Sequence, residues 1–332
     1  MNETKQHLKH PPWQKNFQGE IRHVGVEMEI SGLHLDTLAG YVAEFLDLTV
    51  VTKGRYERLL TGDEAGDWIV ELDYNLLKQL GREHRVAGTL EEDFFQATEK
   101  VLALVSKLLV PFEIISPPLP LDRLKEMETL IVHLREQGAK GTSDSAVNAF
   151  GMQFNPELAS LEPAHITACL KAFVCLYDWL FVRADIDISR RATSYVNPFP
   201  IRYVKKIIQA DYRPDLPTLI DDYLVDNPTR NRALDMLPLF THLDEQRVRS
   251  RVDDVLIKPR PTFHYRLPDS DIHKPGWGLF VAWNDWVEVE RLAADEDRLQ
   301  ACCLAYHDYL HSPMSRLFGD WAVIVDKEWL DQ

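Results

Sequence analysis

A chain of 332 residues with 45% hydrophobic and 27% charged residues can build a sizeable core, which excludes a disordered, highly charged protein. Its 37 basic and 52 acidic residues give a formal net charge of −15, which argues against tracking a nucleic-acid backbone by broad electrostatics. No stretch reaches the roughly 18–20 uninterrupted apolar residues of a membrane span: "ACLKAFVCLYDWLFV" is broken by Lys171 and Asp178 and reads as a buried helix.

Residues 1–18 read as a polar arm in which Pro11 and Pro12 oppose helix, and no apolar core or cleavage site follows, so export is not expected. A single catalytic-size domain is expected over 19–332, with a helical insertion at about 163–255. Within it, strands are expected near 21–30, 48–52 and 67–73, with a helix at 35–47 between the first two. A helix over 91–108 ends at Pro111, "PFEIIS" forms a short strand, and a further helix from Leu121 stops at Gly138. "AVNAFGMQFNPEL" reads as strand, and helices follow at 163–182, 201–210, 216–225, 229–241 and 244–254. "RPTFHYRLP" suggests one more strand before helices at 277–293 and 295–311. The order lacks βαβα alternation, which points to an α+β fold with a mainly antiparallel sheet. Cys169, Cys175, Cys302 and Cys303 form no CxxC pair, which suits a reducing cytoplasm.

One pattern recurs along the strands. Glu27 and Glu29 alternate with Val26, Met28 and Ile30; Glu71 and Asp73 with Val70 and Leu72; Gln153 and Asn155 with Met152 and Phe154; His264 and Arg266 with Phe263 and Tyr265. An antiparallel sheet with one face in water also alternates. Glutamate, however, is depleted in strands, and like charges sharing a face repel. A divalent cation resolves that repulsion: Mg²⁺ takes hard oxygen ligands, so Glu27, Glu29, Glu71 and Glu113 are candidates to hold it against a nucleotide. Zinc lacks an HExxH or CxxC site here. A paired-carboxylate glycosidase is conceivable, without an aromatic sugar platform to support it.

Neither GxxxxGK[ST] nor GxGxxG occurs, so phosphate binding would fall to metal ions and scattered arginines. Arg190 and Arg191 lie in a loop-like setting, with Arg202, Lys205 and Lys206 on the helix after Pro200. Arg230 and Arg232 are expected in the first turn of a helix capped by Thr229, where cations oppose the helix dipole. Each cluster is equally open to a solvated charge or a local ion pair, such as Arg232 with Asp235.

In order, "GVEMEI", "WIVELD", "PFEIISPPL", "NRALDMLPL" and "PTFHYRLP" resemble the amidoligase family of the glutamine synthetase and glutamate-cysteine ligase superfamily, over about residues 20–270. The resemblance implies a curved antiparallel sheet with helices packed on one face, and ATP and Mg²⁺ bound on the concave face. It implies amide formation through an acyl phosphate, from small-molecule or peptide carboxylates and amines. Carried over by position, Glu27 and Glu29 would be metal ligands and Glu113 would complete the metal site or contact substrate. Arg232 and Arg266 would neutralise phosphate charge. Glu71 is read as a metal or substrate ligand.

Gln153 and Asn155 stand where many relatives carry an HxH-like strand, and would hydrogen-bond nucleotide or substrate with Arg190 and Arg191. His264 replaces an acidic residue, and is either a general base for the amine or a structural donor. A phosphotransferase on the same Mg-ATP platform and a non-catalytic nucleotide-binding descendant are the alternatives. No nucleic-acid or membrane partner is expected, and homo-oligomers are compatible with the sequence.

Overall fold

The alternation in "HVGVEMEI" produces β1 (His23–Ile30), with Val24, Val26, Met28 and Ile30 buried. The computed structural model describes residues 7–72, 111–141, 151–184, 197–312, 314 and 319–330; the helix expected at 91–108 lies outside them. The chain forms two compact units, Gly25–Met152 with Asp269–Leu279, and Met1–Val24 with Gln153–Pro268 and Phe280–Gln332.

The first of these is the sheet unit. Besides β1 it holds β2 (Thr49–Gly54), β3 (Glu57–Thr61), β4 (Trp68–Leu72), β5 (Phe112–Ile115) and β6 (Leu119–Pro120). Spatial order is β2-β3-β4-β5-β1-β6, and the pairings from β2 to β1 are antiparallel. One face is apolar: Leu60, Trp68, Val70, Phe112 and Ile114 are buried together with the β1 set. Helix α1 (Leu35–Leu46) packs against β2, β3 and β4. Its Leu35, Leu38, Ala39, Val42 and Ala43 recur at helical spacing and are buried. Helix α2 (Leu124–Glu136) packs on α1 in turn. Gly138 ends that helical segment at φ +92°, a conformation that glycine adopts without steric penalty.

In the helical unit the strand β7 (Met152–Pro156) contributes Gln153–Pro156, all buried. The helices are α3 (Pro163–Arg183), α4 (Ile201–Ile207), α5 (Leu216–Asp226), α6 (Leu237–Leu243), α7 (Glu245–Arg249), α8 (Leu279–Ala294), α9 (Glu296–His311) and α10 (Trp321–Glu328). α3 packs against α5, α9 and α10. By length and composition it could cross a membrane, yet 67% of its most apolar window is buried inside the protein, as in a core helix.

Three expectations are corrected. The helix expected at 229–241 begins at Leu237, because Pro238 is tolerated in the first turn and not deeper. Residues 229–236 instead run irregularly, with bridges Asn197↔Arg232 and Leu234↔Tyr265, so Arg230 and Arg232 are not on a helix. Thr229 Oγ1 accepts from Asn231 N as a local turn. "RPTFHYRLP" makes isolated bridges at Thr262 and Tyr265 in place of a continuous strand. The helix of 244–254 is confined to α7, and β3 and α10 were not anticipated. The architecture is mixed α and β, with a mostly antiparallel open sheet, as the α+β reading requires.

A buried ion pair fixes the start of the chain within the helical unit. Arg22 donates to both carboxylate oxygens of Glu290, at 2.8 and 2.7 Å, and to the carbonyls of Trp13 and Glu157. Trp286 Nε1 also donates to Glu290, and both charged residues are 1% exposed. Removing one partner strands the other charge away from water. Glu290→Leu is therefore expected to lower the unfolding free energy by about 3–5 kcal/mol in urea titrations followed by circular dichroism. A loss below about 1 kcal/mol would show that the guanidinium finds other compensation.

Candidate functional site

In the sheet unit the antiparallel register sets glutamates opposite one another. Glu29 pairs with Glu113, Glu113 with Glu71, and Glu71 with Glu57, forming one row across β1, β5, β4 and β3. All four are partly exposed on the face opposite the apolar core. The row ends on β2 at Gly54, which is opposite Glu57. A parallel row, Ile115, Ile69, Leu59 and Val51, lies two residues away along each strand from β5 to β3, with Glu27 opposite Ile115 at its β1 end. Glu29 Oε2 accepts from Gly151 N at 2.8 Å, which orients its carboxylate.

Three of the four metal candidates thus share a row, and Glu27 sits two residues along β1 from Glu29. Among the described residues no three His, Cys, Asp or Glu side chains converge as a ready-made metal cage. The row nonetheless offers the donor type that Mg²⁺ uses. Neighbouring strands are about 4.8 Å apart, and Mg²⁺ is commonly held by one or two carboxylates, with water and phosphate oxygens completing its shell. Glu57 was missed because β3 was missed. Asp73, Arg190 and Arg191 lie outside the described residues.

The helical unit brings together a second group. Phe154 and Tyr265 exchange backbone hydrogen bonds, at 2.9 and 2.8 Å, which places Gln153 near His264. His264 Nε2 lies 2.6 Å from Gln153 Oε1, and its Nδ1 lies 3.7 Å from Asp235 Oδ2. Gln153, Asn155, Asp235, His264 and Arg266 are all buried. The ring thus sits within hydrogen-bond distance of Gln153 on its Nε2 side and faces Asp235 beyond that distance on its Nδ1 side. Burial, with Arg260, Arg266 and Arg230 nearby, pushes the His264 pKa well below the ordinary imidazole value, so the ring is neutral. Arg266 Nη1 donates to the Arg230 carbonyl at 2.5 Å. Arg232 donates to the carbonyls of Pro198 and Asp226, at 2.8 and 3.1 Å, and does not pair with Asp235. On α4, Arg202 pairs with Asp226 and Lys206 with Asp222.

Asp235 is the residue here that sequence reading did not single out; it appeared only as a partner for Arg232. Burial raises its pKa from 3.8 to about 6, against the opposing pull of Arg266, the Leu237 amide, Arg230 and Arg260. Its carboxyl therefore binds a proton more readily folded than unfolded. That proton stabilises the fold below 3.8, and the contribution is lost as pH rises through about 6. Asp235→Asn keeps an acceptor for the Leu237 amide and cannot ionise. Between about pH 4 and 6.5 the wild type should lose about 2 kcal/mol relative to this variant, read by denaturant titration at each pH. A difference that stays flat with pH would mean that Asp235 ionises equally in both states.

A family model described as "Putative amidoligase enzyme" matches residues 20–288, which include the glutamate row and the Gln153–His264–Asp235 group. No curated protein matches the chain. With most of its length matched, the chain belongs to the amidoligase family, and so among the amide-bond ligases in general terms.

Proposed function

We propose that the protein is an ATP- and Mg²⁺-dependent carboxylate-amine ligase. The observation that carries the reading is the register of Glu29, Glu113, Glu71 and Glu57. A sheet face that lines up four carboxylates suits a task that supplies positive charge. Bound to that row, Mg²⁺ would neutralise the β- and γ-phosphates of ATP. Glu29, Glu113 and Glu71 are the central candidates to hold it, with Glu27 and Glu57 at the margins. The adjacent Ile115, Ile69 and Leu59 offer an apolar strip to an aliphatic or aromatic part of a substrate.

The proposed reaction has two steps. A substrate carboxylate oxygen attacks the γ-phosphorus of ATP and releases ADP; an amine nitrogen then attacks the acyl carbon, expelling phosphate and losing a proton. Arg266 is the proposed counter-charge for the transferred phosphoryl group. His264, buried and neutral, is assigned to holding Gln153 in place, so that Gln153 and Asn155 present oriented carboxamides. Arg232, engaged with two backbone carbonyls, is assigned to positioning the chain near Pro198. The substrates are small-molecule or peptide carboxylates and amines, and the curved ligase sheet of the wider superfamily is part of the proposal. Four free, buried cysteines fit a reducing compartment, so a cytoplasmic location belongs to it too.

Purified protein with Mg-ATP is expected to release ADP and phosphate when an amino-acid carboxylate and an amine or polyamine are supplied together. Glu113→Gln and Glu29→Gln should each cut kcat by about 10²–10³-fold and abolish the rise in melting temperature that Mg²⁺ gives the wild type. ADP release with a single phosphorylated acceptor would replace this reading by a phosphotransferase. Intact ATP across the substrate screen, with no Mg²⁺-dependent stabilisation, would favour a non-catalytic descendant.

A further inference from the structure

The helical unit contains a cavity of about 430 Å³ lined by α3, residues 210–214, the end of α8 and the start of α9. That size lies within the range of small-molecule sites. Five alanines, with Tyr212, Pro214, Leu299 and Cys303, form its apolar lining, and two polar groups enter from α3: Thr167 and, one turn on, Lys171. Thr167 is 5% exposed, and its hydroxyl is buried without a hydrogen-bond partner. A buried hydroxyl in that condition, which those of Tyr203 and Thr262 share, costs free energy unless something answers it.

Lys171 is half-buried. Its Nζ donates to the Gln209 carbonyl at 3.0 Å and lies 5.8 Å from the centre of the Tyr212 ring. Among the described residues it has no ion pair. Burial depresses its pKa, Arg213 adds to this, and Cys303 is the first of the groups that oppose it, with Asp211 the last. The other cation lining the cavity, Arg213, is already matched, with Nη2 2.8 Å from Glu296 Oε1. Of the charged and polar lining groups, Arg213 and Glu296 thus answer one another, and Lys171 supplies an ammonium without an ion pair beside the Thr167 hydroxyl.

We infer that this cavity binds a small organic carboxylate, which accepts hydrogen bonds from Lys171 Nζ and Thr167 Oγ1 and rests its short apolar body against the alanine methyls. A carboxylate fits better than inorganic phosphate because it presents its oxygens on one side and can be apolar on the other. A cationic ligand would be repelled by Lys171. The inference is independent of the ligase reading, since it uses none of the residues assigned to that reaction.

The test is saturation-transfer NMR on the full chain with benzoate and isobutyrate, with benzamide and inorganic phosphate as controls. Benzoate or isobutyrate should bind and benzamide should not. Lys171→Met should weaken binding by at least about ten-fold, the scale of one charge-assisted hydrogen bond, and Thr167→Val by a few-fold. The inference is overturned if neither carboxylate binds at millimolar concentration, if phosphate binds and the carboxylates do not, if benzamide binds as well as benzoate, or if both variants bind like the wild type. Melting curves check that the variants fold; should Lys171→Met not fold, Thr167→Val carries the test.

Discussion

The antiparallel register of β3, β4, β5 and β1 is the constraint on which the candidate site depends. Side chains alternate with a period of two, so the residues that bury Val26, Met28, Val70 and Ile114 also turn Glu29, Glu71 and Glu113 to the other face. Slipping one strand by a residue would relieve like-charge repulsion, but would carry the core residues into water and the glutamates into the core. The core under α1 thus holds the alignment of the row in place. Binding energy is not needed to assemble the row, because folding has already done so.

The helical unit solves a different electrostatic problem. Asp235, His264 and Gln153 are buried beside three arginines, where each ionised group is costly unless another answers it. The arrangement keeps the imidazole neutral and held against Gln153. A neutral ring of fixed orientation suits positioning better than proton transfer at neutral pH. The Arg22–Glu290 pair resolves its own burial by bidentate geometry and two further carbonyl contacts.

Much of this was legible in the sequence where one face was apolar throughout. β1, β4 and β5 announce themselves through alternation, and α1 and α3 through helical spacing. β3 did not, and the reason is local: in "ERLLT" it is Arg58 that occupies a core-side position, while Leu59 faces the glutamates. The guanidinium is reconciled with burial by donating to Asp36 and to the carbonyls of Gly54 and Glu57, contacts that hydropathy does not encode. Missing β3 concealed Glu57, and with it the full length of the row. Asp235 was hidden for a related reason. Its raised pKa comes from burial and from arginines distant in sequence, whereas "ALDMLP" reads locally as a helix interior until Pro238 is given its proper weight as a start signal.

At the open end of the row, Gly54 stands opposite Glu57, and a Cβ added there would meet nothing within 4 Å. Charge at this edge is therefore editable without disturbing the core. A lysine at position 54 would bring an intramolecular ammonium beside the last carboxylate of the row. Evolution and design alike have at that glycine a tuning point for the charge of the row, located on an edge strand and away from the residues that hold the register.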